Sequence, residues 1–242
     1  MRIPRLFVDQ TLAVDEEIPL SKELSNYVVN VLRLKDASPV VLFNGDGNEY
    51  SAELEILSKR SVNVRVDSKL GISCESPLPI HLGQGISKGD RMDMVIQKSV
   101  ELGVTEISPI ITERCNVKLD DERWQKKQQH WQKIAISACE QCGRNVVPTI
   151  HAPITLAQWL SQSTNQLRLT LNPTAEKRLA RLDVPKEGIR VLIGPEGGLS
   201  DQEIFQAAET GFNDVSLGPR ILRTETAALA VISILQANYG DL

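Results

Sequence analysis

The sequence predicts an α/β protein, a parallel sheet with helices on both faces, preceded by a small β-barrel. Three observations carry this reading. Residues 1–70 run as short strands between turn signals, and from residue 80 onward strands and helices alternate. Between them, residues 71–79 hold Gly71, Ser73, Ser76, Pro77 and Pro79 and read as a linker. The expected organisation is a barrel over 1–70, a linker over 71–79 and a sheet domain over 80–242.

In the first part, Val40-Val41-Leu42-Phe43 is an apolar run closed by the turn signal Asn44-Gly45-Asp46-Gly47. Glu49–Ile56 alternates roughly with period two, and Val62-Asn63-Val64-Arg65-Val66 alternates strictly. One helix is expected around Lys22–Leu32. In the second part the strand candidates are Ile80–Gly83, Glu106–Ile111, Leu167–Leu171, Arg190–Ile193 and Asp214–Leu217. Helix candidates lie between them. Asp90–Leu102 places Met92, Val95, Ile96 and Ser99 at helical spacing, with Gly103 as the stop. Asp121–Cys142 aligns Trp124, Trp131, Ala135 and Ala138 on one face. Thr155–Gln162 and Thr174–Leu182 are shorter candidates. Ser200-Asp201-Gln202-Glu203 is a capping box opening a helix that stops at Gly211. The last helix, Thr224–Tyr239, is apolar nearly all round, as expected for a helix in a core or at a subunit interface.

Apolar residues make up 41% of the chain, enough for a core and too many for wholesale disorder. Lys plus Arg number 27 against 31 Asp plus Glu, a net charge of −4, so contact with nucleic acid needs a local patch rather than a global field. The longest nearly unbroken apolar run, Ala227–Leu235, is too short to cross a bilayer. No long apolar core follows Met1-Arg2-Ile3-Pro4-Arg5, so no secretory signal is expected and the location expected is cytoplasmic. Of the four cysteines only Cys139 and Cys142 form a CxxC, and His81, His130 and His151 show no ligand spacing around it. Buried thiols and no metal are expected.

Ligands of open α/β sheets bind at the carboxyl ends of the strands. Two such ends carry unusual loops. Ile193-Gly194-Pro195-Glu196-Gly197-Gly198-Leu199-Ser200 follows an apolar strand, and its glycines let backbone approach a ligand closely. It has neither the Gly-Lys-Ser/Thr of a phosphate loop nor GxGxxG spacing, and Glu196 repels phosphate, which favours a nucleoside-like ligand. The plain alternative is a turn ahead of a capped helix. The second loop, Leu217–Thr226, sets Arg220 and Arg223 side by side, suited to an anion or to developing negative charge. A cation such as Arg223 at a helix N-terminus opposes the helix dipole, which hints at a functional reason. Glu140 and Arg144 share a face if their helix continues past Gly143.

These stretches resemble the RsmE-type 16S ribosomal RNA (uracil-N3) methyltransferases of the SPOUT superfamily. The matching segments are Arg2–Phe7, Val31-Leu32-Arg33, Lys88–Val104, Glu113-Arg114-Cys115, Glu140–Arg144, Ile193–Ser200 and Leu217–Ala227, in family order over almost the whole chain. The resemblance implies that the sheet domain ends in a trefoil knot and that the barrel is a PUA-like RNA-binding domain. It implies that S-adenosylmethionine is held by Leu171, Asn172, Ile193, Gly194, Glu196, Gly197, Gly198, Leu217, Gly218, Ile221, Leu222 and Thr224. The implied partner is 16S ribosomal RNA in the small subunit, met by Arg2, Arg5, Arg33, Arg114 and Arg144, with a homodimer as the working form and no membrane or metal.

The implied reaction moves a methyl group to N3 of a uridine. N3 carries a proton and becomes nucleophilic only after losing it, when charge spreads to O2 and O4. Arg223 and Arg220 are expected to hold those oxygens, and Glu225 or Glu140 to accept the proton. Two alternatives stay open: a methyltransferase of this superfamily acting at another RNA position, and an RNA-binding protein without catalysis.

Overall fold

The computed structural model describes residues 3–117, 120–179 and 182–242. The chain divides into two compact units. One is Met1–Glu75 with Cys139–Val147; the other is Ser76–Ala138 with Pro148–Leu242.

The first unit is built on β1 (Arg5–Phe7), β2 (Glu17–Pro19), β3 (Pro39–Phe43), β4 (Glu49–Ser58) and β5 (Ser61–Leu70). Their pairing order is β1-β3-β4-β5-β2, parallel between β1 and β3 and antiparallel elsewhere. Strict alternation in β5 does what the pattern predicts: Val62, Val64 and Val66 are buried while Arg65 faces water. They pack with Leu6, Leu42, Leu54 and Val28 in one core. The helix expected over Lys22–Leu32 is α1 (Lys22–Asn26), capped by Ser21, followed by a π-turn over Tyr27–Val31. It stops at Arg33, which takes a left-handed φ of 53°.

A charged network ties this unit together. Arg5 pairs with Glu49 and donates to the Arg144 carbonyl (3.0 Å) and Asn145 Oδ1 (2.7 Å). Arg144 in turn pairs with Glu75 at 2.7 Å. The Glu140–Arg144 pair expected on a shared helix face is therefore replaced, because Gly143 takes a φ of +97° and the helix ends at Cys142. Glu140 instead accepts from the Phe7 N–H (3.1 Å), and burial raises its pKa above the usual carboxylate range. Burial pushes the Cys139 thiol up to about 12, so it stays an inert packing group.

The second unit is a parallel sheet. Its strands are β6 (Ile80–Gly85), β7 (Glu106–Ile111), β8 (Thr149–Ile150), β9 (Ile154–Thr155), β10 (Leu167–Leu171), β11 (Ile189–Ile193) and β12 (Asn213–Val215). The order is β12-β10-β11-β6-β7-β8, with β9 also on β7, and every described pairing is parallel. The helices are α2 (Asp90–Glu101), α3 (Asp121–Cys142), α4 (Leu156–Leu160), α5 (Asp201–Glu209) and α6 (Thr224–Tyr239). The central strands β6 and β11 are buried along their whole length, as helices on both faces require, although β6 carries His81 and Gln84 and β11 carries Arg190.

One expected helix is absent. Over Thr174–Leu182 the described residues form a turn and a bridge between Arg178 and Ser216. Asn172 Oδ1 captures the Thr174 N–H and hydroxyl, while Ser216 N donates to Lys177 O and Leu179 N to Ser216 O. Backbone groups that a helix would need are spent on the neighbouring strand segment. The last strand likewise stops at Val215, two residues short of Leu217.

At the amino ends of the strands, His81 is 3% exposed beside Arg190. Burial, and then the Arg190 charge, lower its pKa from 6.5 to about 3. The folded protein therefore leaves His81 neutral where the unfolded chain protonates it. Stability is expected to fall as pH drops from about 6.5 toward 3, with a slope of up to about 1.4 kcal/mol per pH unit from this group. Urea unfolding of the wild type and His81→Gln between pH 7 and 5 checks this, the variant showing the shallower slope.

Candidate active site

The strand order reverses between β10, β11 and β6, the kind of switch point at which α/β sheets open a crevice. A cavity of 690 Å³ lies at the carboxyl ends of β10, β11 and β12. Its size suits a ligand of cofactor dimensions. The glycine loop after β11 and the arginine loop before α6 form its walls.

Each loop is shaped by identifiable bonds. A Cβ on Gly194 would sit 2.7 Å from the Leu199 nitrogen, so the loop's own backbone, rather than a ligand, demands glycine there. Gly198 has open space around it but a φ of +70°, and its N–H closes a turn on the Pro195 carbonyl (2.9 Å). Beyond the loop, Ser200 and Glu203 form the expected capping box, and Glu203 also accepts from the Glu113 N–H (2.8 Å).

Three clamps hold the glycine loop. Thr224 Oγ1 donates to the Gly194 carbonyl (2.6 Å) and accepts from Gln84 Nε2 (2.8 Å), all in buried surroundings. Arg114 Nη1 donates to the carbonyls of Gly197 (2.9 Å) and Leu199 (3.2 Å). Glu196 Oε1 accepts from the Lys88 N–H (3.0 Å) and from Arg91 Nη1 (2.8 Å). Burial favours a neutral Glu196, yet the backbone N–H groups and Arg91 outweigh it and hold the carboxyl below its usual range.

The opposite wall is open. Arg220 and Arg223 are exposed, and their side chains make no hydrogen bond or ion pair among the described residues. Arg223 is the N-cap residue of α6 and supplies no side-chain cap. Glu225, in the first turn of α6, lines the cavity and has one buried carboxylate oxygen, Oε2, with no partner. Ile221 stands 85% exposed between the two arginines.

A family model described as an RNA methyltransferase domain matches residues 74–236, and one described as an RNA methyltransferase PUA domain matches residues 20–67. The chain belongs to the RNA methyltransferase family. Among curated relatives of this methyltransferase, the ribosomal RNA small subunit methyltransferase E of Buchnera aphidicola (from Schizaphis graminum) is 40% identical, covering 100% of this chain and 98% of that protein. The protein of the same name from Bacillus subtilis is 32% identical over 96% of this chain and 95% of its own length. A Legionella pneumophila methyltransferase structure with bound S-adenosylmethionine superposes with a TM-score of 0.95 at 45% identity, covering 100% of both chains. A Neisseria gonorrhoeae ribosomal RNA small subunit methyltransferase E bound to S-adenosylmethionine superposes at 0.93 and 40% identity, again over the whole of both chains.

Within this methyltransferase, all twelve residues expected to meet the cofactor line the cavity, as do Arg114, Arg220, Arg223 and Glu225. Glu140, Arg5, Arg33 and Arg144 belong to the first unit and are not among the lining residues, and Arg2 lies outside the described residues. Asn172 lines the cavity, with its side chain engaged by Asp214 and Thr174. Sequence reasoning missed Gln84 and Arg91. Arg91 was within reach, since it sits in the Lys88–Val104 stretch already singled out, but the fold alone shows that it meets Glu196. Thr224→Val should leave Gln84 Nε2 without its Thr224 partner and the Gly194 carbonyl without its donor. The expected loss is about 1–3 kcal/mol of unfolding free energy by urea titration, with Thr224→Ser much closer to wild type.

Proposed function

We propose that this protein methylates N3 of a uridine in 16S ribosomal RNA of the small subunit, using S-adenosylmethionine, as a cytoplasmic homodimer whose C-terminal segment is threaded through a trefoil knot. On this reading the PUA-like part over 1–70 and the methyltransferase part over 80–242 are separate domains joined by 71–79, with Cys139–Val147 of the latter stretch packing in the first compact unit. The observation that carries the chemistry is the pairing of two unengaged arginines with a partly orphaned buried carboxylate on one cavity wall.

The residues present fit the cofactor. The cavity has suitable volume, and the glycine loop offers backbone without side chains beside it. When bound, S-adenosylmethionine supplies an electrophilic methyl on a sulfonium. The chain's own groups then solve the other half of the problem. Glu225, in the first turn of α6 and lining the cavity with the two arginines, is the carboxylate that accepts the N3 proton. Arg220 and Arg223 stabilise the negative charge that spreads to the uracil oxygens. Glu196, Arg91 and Arg114 keep the glycine loop in shape, so their part is affinity for cofactor rather than chemistry. Arg5 and Arg144 support the first unit from within their ion-pair network, which leaves Arg33 as the exposed one of these three for RNA.

Four measurements test this. Arg223→Ala should lower single-turnover methylation of small subunits by about 10²–10³ with cofactor affinity unchanged, and Arg223→Lys should rescue poorly because an ammonium lacks the planar fork. Near-normal turnover would move the charge-stabilising role to Arg220. Arg91→Ala should show the opposite split, weaker cofactor binding by calorimetry with a nearly normal rate at saturation. For assembly, Ile234 is 39% exposed on the apolar helix α6, so light scattering should find a dimer in the wild type and a monomer in Ile234→Glu. Mass spectrometry of the modified RNA identifies the position.

A further inference from the structure

The amino-terminal end of the second unit's sheet, opposite the cavity, carries a polar cluster that the methyl transfer does not use. His81 stands beside Glu106 across the β6–β7 ladder and beside Arg190 across the β6–β11 ladder. His151 follows β8 directly, and its N–H bonds the Ile107 carbonyl on β7. Side-chain positions follow from this register. Glu106 Oε2 lies 2.8 Å from His151 Nε2 and 3.8 Å from His81 Nδ1, and one ligand atom from each of the three residues falls within 4.8 Å of the others.

The protonation pattern points the right lone pair inward. Arg190 can only donate, and its Nη2 meets His81 Nδ1 at 3.3 Å, so Nδ1 is an acceptor. The His81 proton therefore sits on Nε2 and is given to Ser108 Oγ at 2.8 Å. A metal-bound histidine almost always donates its other ring N–H to an acceptor that fixes the ring, and Ser108 Oγ fills that place for His81. Glu106 and His151 are half-exposed, which opens the cluster to solvent on one side.

We propose that His81 Nδ1, Glu106 Oε2 and His151 Nε2 form a binding site for a divalent transition-metal cation, zinc by its ligand chemistry, at the end of the sheet opposite the methyl-transfer cavity. Two imidazoles and one carboxylate are a common zinc donor set, with a fourth position left for water. Zinc–ligand bonds near 2.0–2.1 Å place donor atoms roughly 3.3 Å apart, so the observed separations need shifts of only about an ångström. The cation stitches β6, β7 and the segment after β8 together.

Arg190 is the competitor. Its guanidinium already offers positive charge to His81, and zinc must turn it aside. Gln162 Oε1, which accepts from Arg190 Nη2 at 3.1 Å, and the Trp159 ring, 4.7 Å from its guanidinium carbon, hold it on the other side. Removing this charge should strengthen the site, a behaviour that a merely structural hydrogen-bond cluster does not share.

The test uses the full chain, dialysed free of metal, with zinc chloride as titrant in calorimetry and circular dichroism to confirm folding. One zinc per chain is expected. His151→Ala and Glu106→Gln, at half-exposed positions that should tolerate change, should each weaken binding by at least about tenfold, and Ser108→Ala by about 10- to 100-fold. Arg190→Gln should bind more tightly than wild type. Cobalt(II) should give the visible absorption of a tetrahedral nitrogen–oxygen site without thiolate charge transfer. The proposal is overturned if wild type takes up no zinc at micromolar concentration, if His151→Ala binds as well as wild type, or if the cobalt spectrum reports cysteine ligands.

Discussion

Three distant stretches of chain meet at one threonine hydroxyl. Gln84 closes the central strand β6, Gly194 opens the glycine loop, and Thr224 begins the last helix; the Thr224 hydroxyl bonds to both of the others in a buried setting. A buried polar group must find its partner or forfeit the full cost of desolvation, so this triple admits one arrangement of the three segments. The position of α6 relative to the strand ends, and hence of Arg223 and Glu225 at its start, follows from that bond.

Around this point the structure separates arginines by task. Arg114 and Arg91 are committed to the glycine loop, one through its carbonyls and the other through Glu196. Arg220 and Arg223 are left unengaged on the facing loop. The division has a physical basis. A guanidinium already bound to protein carbonyls has little left for an anion formed during reaction, while one held free can be spent on it. Arg223 occupies an N-cap position where serine, threonine or aspartate would stabilise the helix by ~1 kcal/mol. Its presence there is a local cost to the helix.

The sheet has two chemically distinct ends because all its described strands run the same way. Carboxyl ends converge on the loops that build the cavity. Amino ends bring together residues that open β6, β7 and β11, which is why His81, Glu106 and Arg190 lie side by side. A parallel sheet thus sorts its polar residues by position within each strand.

Much of this was legible in the sequence. The apolar period of each central strand, the turn glycines, the Ser200–Glu203 capping box and the two loops at strand ends are local properties, set by residues within a few positions of one another. Local reasoning failed over Thr174–Leu182, where a helical pattern lost its backbone bonds to Ser216, a partner 39 residues beyond Lys177. Glu196 and Gly194 line the cavity as the local reading expects, and the fold adds that Glu196 also pairs with Arg91 and that the loop's own backbone requires glycine at 194. The three histidines show no ligand spacing along the chain, yet strand register sets His81 and His151 around one carboxylate. By itself the sequence determined the elements and the two loops, because periodicity, capping and turn chemistry act over a few residues. Only the tertiary structure decided which side chains are spent and which are free, because that depends on partners brought near by sheet register and loop closure rather than by the chain.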